Sequence, residues 1–190
     1  MDHNEAMETL KSVEAIKQGH FMFTSGLHSE TYVQCASIQK EPELNAKICA
    51  AIAEHYRKDE PELVIGPALG GIIVSYEVAR ALGVPGIWAE RENGKMLLRR
   101  NFTIKPGQKV LVVEDVITTG GSSQEVVNLV EELGGKVVGV ASIVDRSNGK
   151  AKLSVPFFSI LRLEMNNYDP QDCPLCKAGI PLYQPGSRNS

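Results

Sequence analysis

The chain has 190 residues, 43% of them hydrophobic and 23% charged, an ordinary globular composition with enough apolar material for one well-packed core. A net charge of -3 argues against a nucleic-acid binder, which usually carries a basic face, so any anionic ligand must be met locally. No stretch approaches the ~18 consecutive apolar residues of a membrane span, and the acidic start MDHNEAMETL lacks the pattern of a secretory signal, so a cytoplasmic protein is expected.

In chain order, residues 5–18 predict an amphipathic helix with Leu10, Val13 and Ile16 on one stripe. The segment FMFTSGLHSETYVQC is too broken for a helix and predicts short strands around a Ser25-Gly26 turn. A second helix is expected from Pro42, a good first-turn residue, to about Arg57, because Leu44, Ile48, Ile52 and Tyr56 recur at helical spacing. From residue 63 the pattern becomes strand, glycine loop, helix: LVIG, PALGG, IIVSYEVARALG. VPGIWAER and KMLLRR predict strands joined by a tight hairpin at Asn93-Gly94. KVLVVED is an apolar run suited to a strand buried on both faces, followed by a loop and a helix over 122–133 with Val126, Val127, Val130 and Leu133 inward. KVVGVASIVD supplies another buried strand. Strands alternating with helices define an α/β fold, a mostly parallel twisted sheet with helices on both faces. No repeat or long linker divides the chain, so a single domain over 1–190 is expected, ending in a Pro/Gly/Cys-containing tail from about 166 to 190 that covers the surface.

Cysteine usage fits a reducing compartment, since Cys35 and Cys49 stand alone and only Cys173 and Cys176 form a CxxC pair. One CxxC is half a zinc site, and His3, His20, His28 and His55 all lie in the first third of the chain. A structural tail is therefore expected, with no metal held directly by protein ligands. The alternative is a zinc shared between subunits.

The segment VLVVEDVITTGGSS, residues 110–123, carries the chemistry. In open parallel sheets ligands sit beyond the carboxyl ends of the strands, where Glu114 and Asp115 fall. Thr118, Thr119, Gly120, Gly121 and Ser122 then lead into a helix amino terminus, whose free N-H groups and dipole favour an anion. Glycines let the backbone close around a phosphate and the hydroxyls add donors. Carboxylates do not bind phosphate but accept hydrogen bonds from vicinal hydroxyls, so a ribose 5-phosphate satisfies both halves. The lysine of a Walker loop is missing, and so is the GxGxxG of a dinucleotide site. The plainer alternative, acids capping a strand in solvent before a glycine turn, leaves the combination unexplained.

This segment resembles the signature of the type I phosphoribosyltransferases, which join the 5-phosphoribosyl group of 5-phosphoribosyl 1-diphosphate (PRPP) to a nitrogenous base. GPALGGI at 66–72 resembles the family's diphosphate loop. The resemblance covers roughly residues 20–165 and implies that PRPP is bound by Ala68, Leu69, Gly70 and Gly71 in that loop, with a non-proline cis peptide between Ala68 and Leu69. It implies further PRPP contacts from Glu114 and Asp115 through Val116 and Ile117 to Ser122, and from Arg91 and Lys95 of the hairpin. Glu114, Asp115 and Lys95 are the expected catalytic residues, and Mg2+ is the expected cofactor, carried by PRPP near Glu114 and Asp115.

FMFTSGLHSETYVQ resembles the small amino-terminal hood, here about 1–40, of the orotate-using members of the family, matched by Ser25, Gly26, His28, Ser29 and Tyr32. VDRSNG resembles their second determinant, an Asp-Arg pair at a strand end, in which Arg146 faces the orotate carboxylate. Orotate is then expected to touch Thr118, Arg146, Ser25, Gly26 and Tyr32. Several family cations are absent, with Thr24, Leu69, Gly70, Glu92 and Leu97 near the positions where lysines, a tyrosine or a histidine are usual. The 91–100 hairpin keeps Arg91, Lys95, Arg99 and Arg100, and the resemblance implies a homodimer in which it reaches the neighbouring site. A transferase for a purine or uracil, a non-catalytic PRPP-sensing regulator and an inactive family member are the competing readings.

Overall fold

The computed structural model describes residues 1–185. Helix α1 (His3–Ser12) is capped by Asp2, whose carboxylate accepts the Glu5 N-H at 2.8 Å. It stops well before residue 18. Glu14 turns the chain with φ 55°, and Ile16–Met22 becomes strand β1. Leu10 and Ile16 are both buried, one from the helix and one from the strand, so the apolar spacing that predicted a longer helix runs across a turn.

Strand β2 (His28–Val33) pairs antiparallel with β1 around a turn in which Gly26 has φ 82° and donates to the Phe23 carbonyl. A short α2 (Ala36–Gln39) leads to α3 (Pro42–Tyr56), which keeps the predicted bounds to within one residue and buries Ile48, Ile52 and Tyr56. Then come β3 (Leu63–Pro67), α4 (Gly70–Leu82), β4 (Gly86–Glu92), β5 (Lys95–Leu98), β6 (Lys109–Ile117), α5 (Gly121–Glu132) and β7 (Lys136–Asp145). The sequence leaves β8 (Phe157–Arg162), β9 (Asn167–Tyr168) and α6 (Pro174–Lys177) unpredicted. Leu133 is 42% exposed at the end of α5, not turned inward as expected.

The main sheet has the order β5-β4-β3-β6-β7-β8, parallel throughout except for β5. Alternate residues of its inner strands feed two cores. Val64, Leu111, Val113, Ala141 and Ile143 pack with α1, α3 and α4, while Leu63, Ile65, Val110, Val112 and Val140 pack with α5. From β3 the chain proceeds outward to β4, and from β6 outward the other way to β7. Connections therefore diverge between β3 and β6, which is where an open parallel sheet opens a ligand crevice. A second, three-stranded sheet, β1-β2-β9, joins the hood to the tail. Among the described residues, no helix is long and apolar enough to cross a membrane.

Candidate active site

The loops that leave β3 and β6 meet at that crevice. Gly70 opens α4, and a Cβ built on it would fall 2.5 Å from Cγ of Asp115, so only glycine lets the α4 amino terminus lie against this carboxylate. Gly66 is similarly confined, since a Cβ there would fall 2.8 Å from the Gly71 carbonyl carbon and 2.9 Å from the Val113 carbonyl oxygen. The peptide between Ala68 and Leu69 is cis, and Leu69 is exposed.

Glu114 and Asp115 are not the last residues of their strand, since β6 continues to Ile117 with Val116 opposite Val144. Their side chains differ in setting. Glu114 is 8% exposed, and burial, reinforced by the Asp115 charge, pushes its carboxyl up to about 9. Burial also raises Asp115, whose Oδ1 accepts the Val116 N-H at 2.8 Å. At neutral pH the pair therefore holds a proton on Glu114. Because Glu114 is raised when folded, its contribution to stability is complete below the ordinary carboxyl value of 4.5 and fades as pH climbs to about 9. Denaturant unfolding should accordingly show wild-type stability falling across this window relative to Glu114→Gln. Parallel curves would mean that the carboxyl titrates normally.

Thr118 and Thr119 are exposed just beyond β6, Gly120 has φ 83°, and at the start of α5 the Thr119 Oγ1 accepts the Gly121 N-H at 3.3 Å. Glu114, Thr118 and the glycines surround a cavity of about 70 Å³ at this helix terminus. A larger cavity of about 460 Å³ continues from Thr118 and Thr119 to Arg146, Lys150 and Lys152. Neither lysine is among the expected site residues. They come into place because the Lys152 N-H donates to the Thr119 carbonyl at 3.2 Å, folding the segment after β7 over the loop.

Arg146 is half-buried, its guanidinium 4.8 Å from the centre of the Phe23 ring in the hood turn. Burial of the guanidinium lowers its pKa. Arg146 makes no ion pair with the adjacent Asp145. Asp145 caps Ser147 N-H at 2.8 Å and lies 3.8 Å from Arg162 of the adjacent β8, so Arg146 has no carboxylate partner among the described residues. Ser25 and Gly26 occupy the hood turn, and Tyr32 packs 5.5 Å from Phe21. His28 turns toward the tail, and Ser29 donates to the Asn166 carbonyl.

The hairpin forms as predicted, with Asn93 and Gly94 at φ 50° and 81° and Glu92 opposite Lys95. Arg91 donates to the Gly94 carbonyl and pairs at 2.6 Å with Glu125 of α5. Glu92 meets Arg99 at 3.3 Å, and Arg100 meets Glu90 at 2.6 Å. Lys95 is exposed and joins no ion pair among the described residues.

A sheet crevice flanked by two glycine loops, with paired acids between them, defines the phosphoribosyltransferase class, and the Phosphoribosyl transferase domain family matches residues 34–177. The chain is 52% identical over 188 residues to the orotate phosphoribosyltransferase of Desulforamulus reducens, covering 99% of this chain and 98% of that protein. It is 54% identical over 177 residues to that of Carboxydothermus hydrogenoformans, covering 92% and 93%. The crystal structure of Mycobacterium tuberculosis orotate phosphoribosyltransferase in complex with inorganic phosphate matches with a TM-score of 0.68 at 28% identity, over 84% of this chain and 96% of that one. The chain belongs to the orotate phosphoribosyltransferase family.

Proposed function

We propose that this enzyme of pyrimidine biosynthesis transfers the 5-phosphoribosyl group of PRPP to orotate in the crevice between β3 and β6, releasing diphosphate and orotidine 5'-monophosphate. The observation that carries the choice of base is Arg146, half-buried beneath the hood without a carboxylate of its own. A planar donor in that state is suited to a ligand carboxylate, which orotate has and uracil or a purine base lacks.

In this reading the 5-phosphate lies in the cavity at the α5 terminus, held by Thr118, Thr119, Gly120, Gly121 and Ser122. The ribose hydroxyls face Glu114 and Asp115, and the diphosphate lies along Ala68 to Gly71. As the bond to diphosphate breaks, positive charge grows on the sugar and negative charge on the leaving group, so fixed charges dominate the rate. Asp115 lies beside the forming cation. Arg91 and Lys95 approach the diphosphate when the hairpin closes, in a homodimer over the neighbouring site, which would release Arg91 from Glu125. Mg2+ would be carried in by PRPP near Glu114 and Asp115, and when bound it would offset diphosphate charge.

The test is to offer orotate, uracil, hypoxanthine and adenine separately with PRPP and Mg2+ and follow ultraviolet absorbance. Orotate alone should turn over. Turnover of another base with orotate inert would reassign the specificity, and inertness toward all four would leave the chain a binder of PRPP without catalysis.

A further inference from the structure

We propose that His20, His28, Cys173 and Cys176 form a structural zinc site within one chain, tying the tail to the hood. The four ligating atoms lie within 4.8 Å of one another. His20 Nε2 is 3.0 Å from His28 Nδ1, 3.6 Å from Cys173 Sγ and 3.7 Å from Cys176 Sγ, and Cys176 Sγ is 3.4 Å from His28 Nδ1. A tetrahedral zinc with ordinary Zn-N and Zn-S bonds sets about 3.3 Å between two nitrogens and about 3.6 Å between nitrogen and sulfur. The four distances from His20 and His28 lie within about 0.3 Å of those edges.

Hydrogen bonding alone does not account for it. His20 Nδ1 lies 2.8 Å from the Ile180 carbonyl, which can only accept, so Nδ1 carries the proton and Nε2 presents a single lone pair. Three groups crowd that one lone pair. A cation at the centre uses all four ligand atoms together, and the Ile180 carbonyl becomes the outer partner that fixes the tautomer of a metal-bound imidazole. His20, His28 and Cys173 are buried, and two thiolates with two neutral imidazoles would cancel the double charge of the ion. This donor set in tetrahedral array selects zinc, and four protein ligands leave no open position for catalysis.

The fold builds the site deliberately. The register of β1 against β2 shifts between Gln18 and Phe21, a bulge that falls at His20 and turns it toward the same side as His28. Beyond the cluster, Tyr183 continues the attachment, donating to the His20 carbonyl while its own carbonyl accepts from Met22. The hairpin secured in this way is the one whose turn places Phe23 over Arg146.

Metal analysis of the full, reduced chain tests the proposal without any substrate, so its failure leaves the transfer reading untouched. One equivalent of zinc per chain is expected in wild type and in the His3→Gln control. Cobalt(II) should replace it with the intense visible bands of a tetrahedral ion and thiolate charge-transfer absorption. Cys176→Ser, at the exposed ligand, should keep its circular dichroism and bind zinc more than about tenfold more weakly. Failure of the reduced wild-type chain to take up either ion at micromolar concentration, or retention of full affinity in Cys176→Ser, would overturn the site.

Discussion

Asp115→Asn should lower turnover by ~10²-fold or more while leaving the melting temperature unchanged or higher, the scale on which one charge-stabilising group acts at a reacting centre. The substitution keeps shape and removes charge. Asp115 is held at the junction of both loops, against Gly70 on one side and bonded to the Val116 N-H on the other, so its place does not depend on its ionisation. What the amide loses is attraction for the ribosyl cation as diphosphate departs. Burial already disfavours the charged carboxyl, so neutralising it relieves the folded state, the usual opposition between stability and activity at such sites. Steady-state rates at saturating PRPP and orotate, set beside thermal unfolding, give both numbers. A variant with near-normal turnover would remove Asp115 from the mechanism.

Arg146→Ala should lower kcat/KM for orotate by ~10²-fold or more and leave the KM for PRPP within a few-fold, because losing one partner of a desolvated charge pair typically costs 2–5 kcal/mol. Arg146→Lys should recover only part, since an ammonium keeps the charge but not the paired, coplanar N-H groups. The contact with Phe23 makes a second outcome distinguishable. If Arg146 served only to pack the hood turn, Arg146→Lys and Arg146→Ala would impair both substrates alike. Loss confined to orotate identifies the carboxylate partner.

The sequence made legible whatever is local. The helix Pro42–Tyr56 follows from its proline and the Ile48, Ile52, Tyr56 spacing, and the hairpin from Asn93-Gly94. Glu114 to Ser122 could be read as one candidate site because they are contiguous, and the fold needs only to place them at the end of β6 and the start of α5. Features made by distant residues were not legible. FFSILR of β8 is short and follows a proline, and without β8 there is no Arg162 to pair with Asp145. Arg91 reads as a free cation until α5 brings Glu125 to it. The CxxC motif reads as half a site because its two histidines lie about 150 residues upstream, on strands whose bulge cannot be inferred from spacing.

The small sheet β1-β2-β9 has a consequence for biogenesis. Tyr168 pairs with His28, so residues translated near the end complete a sheet begun near the start. The α/β body between them can assemble as its strands emerge from the ribosome, but the cover over Arg146 must wait until residues 167–185 arrive. A nascent chain would thus form the crevice between β3 and β6 before the hood is fastened above it.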